Sequence, residues 1–315
     1  MNIGMKGKFK IHKQKVKMQD GEPLLDDKGC QILVGAKEEV ASFNNLITNQ
    51  GLDNLHVHSI IDTFYISSEN TEPTVDDSSI SGVIASSRTA IASGISKTSI
   101  TAPNYYRSWY KTVRFAAGTA ANVAKVAVGW DSGYWAIQLV KDSSGMPTVI
   151  TKLADEILDI TYELEFHISV EDVVGVINIS GEPYNYIMRP CNLNAYWFPD
   201  QPPISFGMPA FYIHSGTLGS ITGEPGGTSE TVVVTKLGYV TGSYEIGYTA
   251  NVPLNQGNYP TGIRSIHYFY QAGGNGYIFQ AEFSRVSDGA AIVKTNLQTL
   301  RLPPVYIKWG RYVTP

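Results

Sequence analysis

Residues 123–140 read VAKVAVGWDSGYWAIQLV. Two runs rich in Val, Ile, Ala and aromatic residues, Val123–Trp130 and Tyr134–Val140, flank the turn Asp131-Ser132-Gly133. Apolar runs of this length bounded by Asp, Ser and Gly are the pattern of antiparallel strands joined by a tight turn. A little further on, KLADEILDITYELEF at 152–166 alternates carboxylates with Leu, Ile and Tyr, as a half-buried strand does.

The pattern extends in both directions. Short runs of Val, Ile, Thr and Tyr recur at Lys111–Phe115, Val173–Ser180, Tyr184–Met188, Thr231–Leu237, Ile263–Tyr270, Tyr277–Phe283 and Val305–Trp309. Between them lie Gly-rich turns such as Gly181–Pro183, Gly223–Gly227, Gly273–Gly276 and Ser287–Gly289. Regularly spaced short strands predict sandwiches or barrels. No strand–helix–strand alternation appears, which disfavours a parallel α/β sheet.

The two halves echo each other. Phe64-Tyr65-Ile66-Ser67 is matched by Phe211-Tyr212-Ile213-His214, Val123 and Val126 by Ile263 and Ile266, and Tyr134 by Tyr277. In each half a Val/Ile–Lys step follows, at Val149–Lys152 and at Ile292–Lys294. The common order predicts an all-β protein of two tandem β-sandwich domains of similar topology, at 43–190 and 204–315. A Pro-rich crossing at 191–203 separates them.

Two exceptions to the strand pattern are expected. Residues 1–42 read as an extended basic arm, with Lys6, Lys8 and Lys10 on one face and Lys13, Lys15 and Lys17 on another. Such an arm would dock on an acidic neighbour or on packaged DNA, or its lysines would guard a solvated strand edge. One short helix is expected within 38–55, with Ser42 as N-cap, an apolar face of Phe43, Leu46 and Ile47, and Gly51 just past its end.

Composition narrows the function. Of 315 residues, 43% are apolar but only 17% are charged, and 19 are Tyr. Low charge with normal apolar content suits β-structure and large subunit contacts, whose cores are depleted in charge and enriched in Tyr. A net charge of −4 gives no steering towards nucleic acid. Cys30 and Cys191 form neither a disulfide framework nor a zinc motif, so two free thiols are expected. No apolar run reaches membrane-spanning length and no signal peptide is evident.

The stretch Phe43–Asp53 (FNNLITNQGLD), the VAVGW of Val126–Trp130, the LADEILDITYEL within 152–166 and the segment Ile179–Pro190 together resemble a family of bacteriophage virion proteins of the tail-fibre and minor-tail kind. The resemblance implies a non-enzymatic particle subunit, in a ring or trimer and in contact with other tail proteins. It implies assembly in the host cytoplasm and a final place in the virion. It implies no cofactor. A receptor-binding module for host surface glycan, and a head decoration protein, are the alternatives it leaves open.

Aromatic clusters supply the candidate interface residues: Tyr106, Trp109 and Tyr110; Tyr196, Trp197 and Phe198; Tyr268 and Tyr270. Period two puts Tyr106, Ser108 and Tyr110 on one face and Tyr105, Arg107 and Trp109 on the other, one of the two being core. His56 and His58 share a face and would suit a metal on a trimer axis, or stand as two ordinary histidines. Glu163 and Glu165 fall about 7 Å apart along one strand, a spacing compatible with inverting glycosidase carboxylates. They point in parallel, however, as a solvated strand face does. No motif for a nucleophile elbow, a zinc protease, a phosphate loop or a dinucleotide is present.

Overall fold

The computed structural model describes residues 2–56, 62–101, 104–130, 133–193, 209–271 and 275–313. The chain is nearly all β. It opens with β1 (Asn2–Val16), a small hairpin of β2 (Met18–Gln19) and β3 (Glu22–Pro23), β4 (Leu33–Asn44), β5 (Leu46–Ile47) and the helix α1 (Asn49–Asn54). There follow β6 (Thr63–Ser67), β7 (Val83–Ser87), β8 (Ala90–Thr101), β9 (Asn104–Phe115), β10 (Ala121–Val123), β11 (Lys125–Trp130), β12 (Gly133–Leu139), β13 (Ile150–Lys152) and β14 (Glu156–Ser169). The rest holds β15 (Val173–Ile179), β16 (Glu182–Pro190), β17 (Pro209–His214), β18 (Ser229–Lys236), β19 (Glu245–Val252), β20 (Ser265–Gln271), β21 (Asn275–Arg285), β22 (Leu300–Arg301) and β23 (Val305–Arg311). No helix among the described residues is long and apolar enough to cross a membrane.

One pairing order occurs twice. In the first half β12, β11, β6 and β7 are neighbours in that order, and β14, β9 and β8 form a second run. In the second half the same roles fall to β21, β20, β17 and β18, and to β23, β19 and β18. The strand β18 pairs β17 through its first residues and β19 through its last, passing from one sheet to the other. In the first half the chain makes that passage between β7 and β8. Even the small pairing of Val123 with Ile150 has its counterpart, Ile263 with Ile292.

The basic N-terminal segment is not an arm. β1 is an internal strand, antiparallel to β14 from Ile3 to Lys15, parallel to β23 over Asn2–Met5 and antiparallel to β4 from Lys8 onward. It therefore joins strands of both halves into one continuous sheet. Its alternation explains this: Ile3, Met5, Phe9 and Ile11 are buried, while Lys6, Lys8, Lys10 and His12 lie on the opposite, half-buried face. Gly7 takes an inward position because a side chain there would meet the Tyr162 hydroxyl and Asn45. That hydroxyl accepts from Trp135 Nε1 at 2.7 Å and Asn45 Nδ2 at 2.9 Å, linking the β1–β14 layer to β12 in the facing layer.

The helix is shorter than expected and lies later in the chain. Ser42 and Phe43 belong to β4, where Phe43 pairs with Phe9, and Leu46 and Ile47 form β5. The cap of α1 is Thr48, whose Oγ1 accepts from Gly51 N at 2.8 Å. Gly51 sits within the helix because a Cβ would lie 2.5 Å from the Trp135 carbonyl oxygen. An apolar pair at i and i+3 fits a helix face, but Ala41 and Phe43, buried at every second residue, obey the strand period.

The hairpin β15–β16 also changes sides. A first domain ending at 190 would include it, yet β16 pairs with β21, so the hairpin extends the second half's sheet. Most of the Pro-rich crossing at 191–203 lies outside the described residues.

Candidate functional site

The feature that stands out is the open edge of the sheet at β15. The hairpin turn is Ser180-Gly181, with φ of 54° and 90°, the pair of left-handed residues that a type I′ turn requires. This turn fixes the register of Ile179 with Glu182 and of Val173 with Met188. Counting back from the turn, Ile179, Ile177, Gly175 and Val173 exchange backbone hydrogen bonds with β16. Val174, Val176 and Asn178 then direct N–H and C=O away from the hairpin, and β15 has no further neighbour among the described residues.

This edge lacks the usual guards. The segment VVGVINI contains no charge and no proline, and its pairing has no bulge. Several other edges are protected. β8 has two register shifts, β4 carries Lys37, Glu38 and Glu39 with two more shifts, β7 is five residues long and bulged, and β5 has two residues. Val174 and Val176 are 68% and 64% exposed on the outer face, with Ile187 partly exposed opposite Val174.

Beneath the same edge lies an apolar cleft of about 260 Å³, lined by Val173, Ile177, Tyr186, Met188, Phe283 and Leu302 among others. Gly175 belongs to its construction. A Cβ there would lie 2.8 Å from the Tyr186 ring, which crosses the strand at the glycine. An open strand above an apolar cleft is the geometry that accepts an added strand, main chain on the edge and alternate side chains below.

The residues picked out by sequence fall in several places. Trp109 and Tyr268 are core residues and not interface residues. Trp109 is buried with Tyr105 and Val113, and Tyr268 packs edge-on to Phe211 with ring centroids 4.2 Å apart. Tyr106 and Tyr110 lie on the other, half-buried face of β9, and the Tyr106 ring stacks on His167. Tyr196, Trp197 and Phe198 lie outside the described residues, as does the side chain of Tyr270.

The lysines of β1 meet acids of their own chain. Lys10 is 3.2 Å from Glu163, Lys13 3.0 Å from Glu156 and Lys15 3.8 Å from Asp155. Lys6, Lys8 and Lys17 are held in or beside the same strand, so none of the six extends to a neighbour as part of a free arm. Glu163 is 4% exposed and paired with Lys10, and Glu165 is 3.2 Å from His167. The His56 ring stacks on Tyr239 at 3.9 Å, and its Nδ1 faces the Asp53 carbonyl. His58 lies outside the described residues. Among the described residues, no group of three or more His, Cys, Asp or Glu is arranged to hold a metal. Both cysteines are free thiols, Cys30 exposed and Cys191 buried.

One cluster had no signal in the sequence. His214 and His267 meet across the β17–β20 pairing, with Nε2 and Nδ1 2.6 Å apart. Burial pushes the two imidazoles down to about 4 and about 3, His214 adding to the effect on His267. At neutral pH the pair is uncharged and shares one buried hydrogen bond. No family model, no curated protein and no solved structure matches the chain.

Proposed function

We propose that the chain consists of two tandem β-sandwich units of one duplicated topology. We further propose that it serves as a non-enzymatic structural subunit of a bacteriophage virion, seated in the tail and acting by oligomeric assembly. The observation that carries the reading is the edge of β15, which has no partner among the described residues. A strand with free backbone groups, exposed valines and an apolar cleft beneath it is an aggregation hazard unless it is meant to be covered. The resemblance of residues 43–190 to tail-fibre and minor-tail proteins supplies the setting.

The occupant that fits is a second copy of β15. Antiparallel pairing centred on Val176 sets Val176 against its own mate and Val174 against Asn178. All three outward residues of each copy are then paired, making about six hydrogen bonds. In this register Asp172 meets Ser180, so acids do not face acids. The contact is self-complementary, as a two-fold interface must be. By itself it makes a dimer. Combined with a three-fold contact it makes the hexamer of a ring.

Glycan recognition would need exposed aromatics at a turn such as Gly257–Tyr259. Tyr259 is buried with its hydroxyl donating to the Ile213 carbonyl, and Gly257 packs against Ile213 and Ile263. That turn is part of the body and offers no exposed stacking surface, while the other candidate turn, Gly273–Tyr277, lies largely outside the described residues. Static light scattering of the purified chain over a wide concentration range tests the reading. A defined oligomer, dissociating on dilution, is the expected result, and a monomer at every concentration would count against it.

A further inference from the structure

Two lysines occupy equivalent places in the repeated topology, and their surroundings differ. Lys152 follows Ile150 at i+2, as Lys294 follows Ile292, and each isoleucine makes the equivalent small pairing. Both are buried, 2% and 4% exposed. The Lys294 ammonium is fully answered: its three N–H groups have four acceptors within 2.8–3.2 Å, the carbonyls of Leu254, Gln256 and Thr295 and Asn258 Oδ1. The Lys152 ammonium has one acceptor among the described residues, the Thr119 carbonyl at 2.8 Å. An ammonium carries three N–H donors, so two remain.

Lys152 lines a cavity of about 350 Å³. Its polar lining is Ser86, Ser87, Thr89, Thr119 and Arg114 beside Lys152 itself, and no acidic residue lines it. Arg114 is already answered, donating to both carboxylate oxygens of Asp159 at 2.7 and 2.9 Å. Ser87 donates to the Arg114 carbonyl, while Ser86 and Thr89 stand at exposed positions beside the cavity. The nearby carboxylate Glu156 is bound by Lys13. Burial lowers the Lys152 pKa, and the attraction of Glu156, itself shared with Lys13, offsets this only in part.

We propose that the cavity beside Lys152 binds a small oxyanion, a molecule bearing a carboxylate or a phosphate group, held by the Lys152 ammonium and the hydroxyls of Ser86 and Thr89. The second half has no such site, because its own loop carbonyls fill the place the ligand takes in the first. The proposal rests on the duplicated topology and is independent of the assembly reading.

Isothermal titration calorimetry of the full chain tests it, with inorganic phosphate and sodium glucuronate as separate probes and glucose as the neutral control. One-site saturable binding of phosphate or glucuronate, with none of glucose, is expected, and the anion that binds identifies the group recognised. Lys152→Met should weaken that binding by about tenfold to hundredfold, the share of charge-assisted hydrogen bonds. If that variant does not fold, Ser86→Leu decides, since it obstructs the mouth from an exposed position and leaves Lys152 in place. Silence with both anions, equal binding of glucose, or binding that survives Ser86→Leu would overturn the proposal.

Discussion

Phe9→Ala is expected to lower the stability of the isolated chain by about 3–5 kcal/mol, the range for a large aromatic side chain removed from a packed core. Phe9 is fully buried at the centre of a cross-strand row. It pairs with Phe43 of β4 on one side and Tyr162 of β14 on the other, with ring centroids 5.9 and 5.0 Å away. Such rows are the unit of sheet stabilisation, and here three strands lose their common contact at once. Lys8→Ala, one residue away on the opposite face, should change stability by about 0.5 kcal/mol or less. Denaturant unfolding measures both. A Phe9→Ala midpoint equal to that of the parent would mean that residues 2–16 are a free arm after all.

The double substitution Val174→Lys and Val176→Lys is expected to abolish self-association while leaving the fold intact. Both side chains are mostly exposed in the single chain, so the cost to folding should be about 0.5 kcal/mol or less. In the two-fold pairing the valines' apolar contact is lost, and the ammonium introduced at position 176 of each copy would face its like-charged mate. Together these effects exceed about 3 kcal/mol, or roughly a hundredfold in Kd. Val233→Lys is the control. That residue is also 68% exposed but lies on β18, where it pairs with Asn251 of β19 and takes no part in the β15 edge. Sedimentation velocity separates the outcomes. Association unchanged in the double variant, or lost equally in the control, would remove β15 from the contact.

The strands of the fold were largely legible in the sequence. Runs such as Lys111–Phe115, Tyr184–Met188 and Val305–Trp309 fall in strands, because period-two burial and Gly-rich turns are local properties. Matched residues such as Phe64 and Phe211 are both buried, in β6 and β17. What failed was non-local. The alternation at Lys6, Lys8 and Lys10 gives two faces but does not say that Met5 and Phe9 are covered. That depends on β14, some 150 residues away, and on β23 at the other end of the chain. The run Tyr105–Tyr110 poses the same problem. Its faces were separable, but only the facing layer decides that Trp109 is core and Tyr106 is not. The candidate edge was hidden for a related reason. VVGVINI reads as an ordinary strand, and its lack of guards matters only once β15 is known to lie outermost.

Residue-resolved amide hydrogen exchange, below and above the association threshold, tests the central claim most directly. In the single chain the amides of Val173, Gly175 and Ile177 are bonded to β16, whereas those of Val174, Val176 and Asn178 point outward. Association through β15 predicts that protection rises at Val174, Val176 and Asn178 and stays as it was at the other three. Rapid exchange at those outward amides in the associated state, with new protection elsewhere, would contradict it.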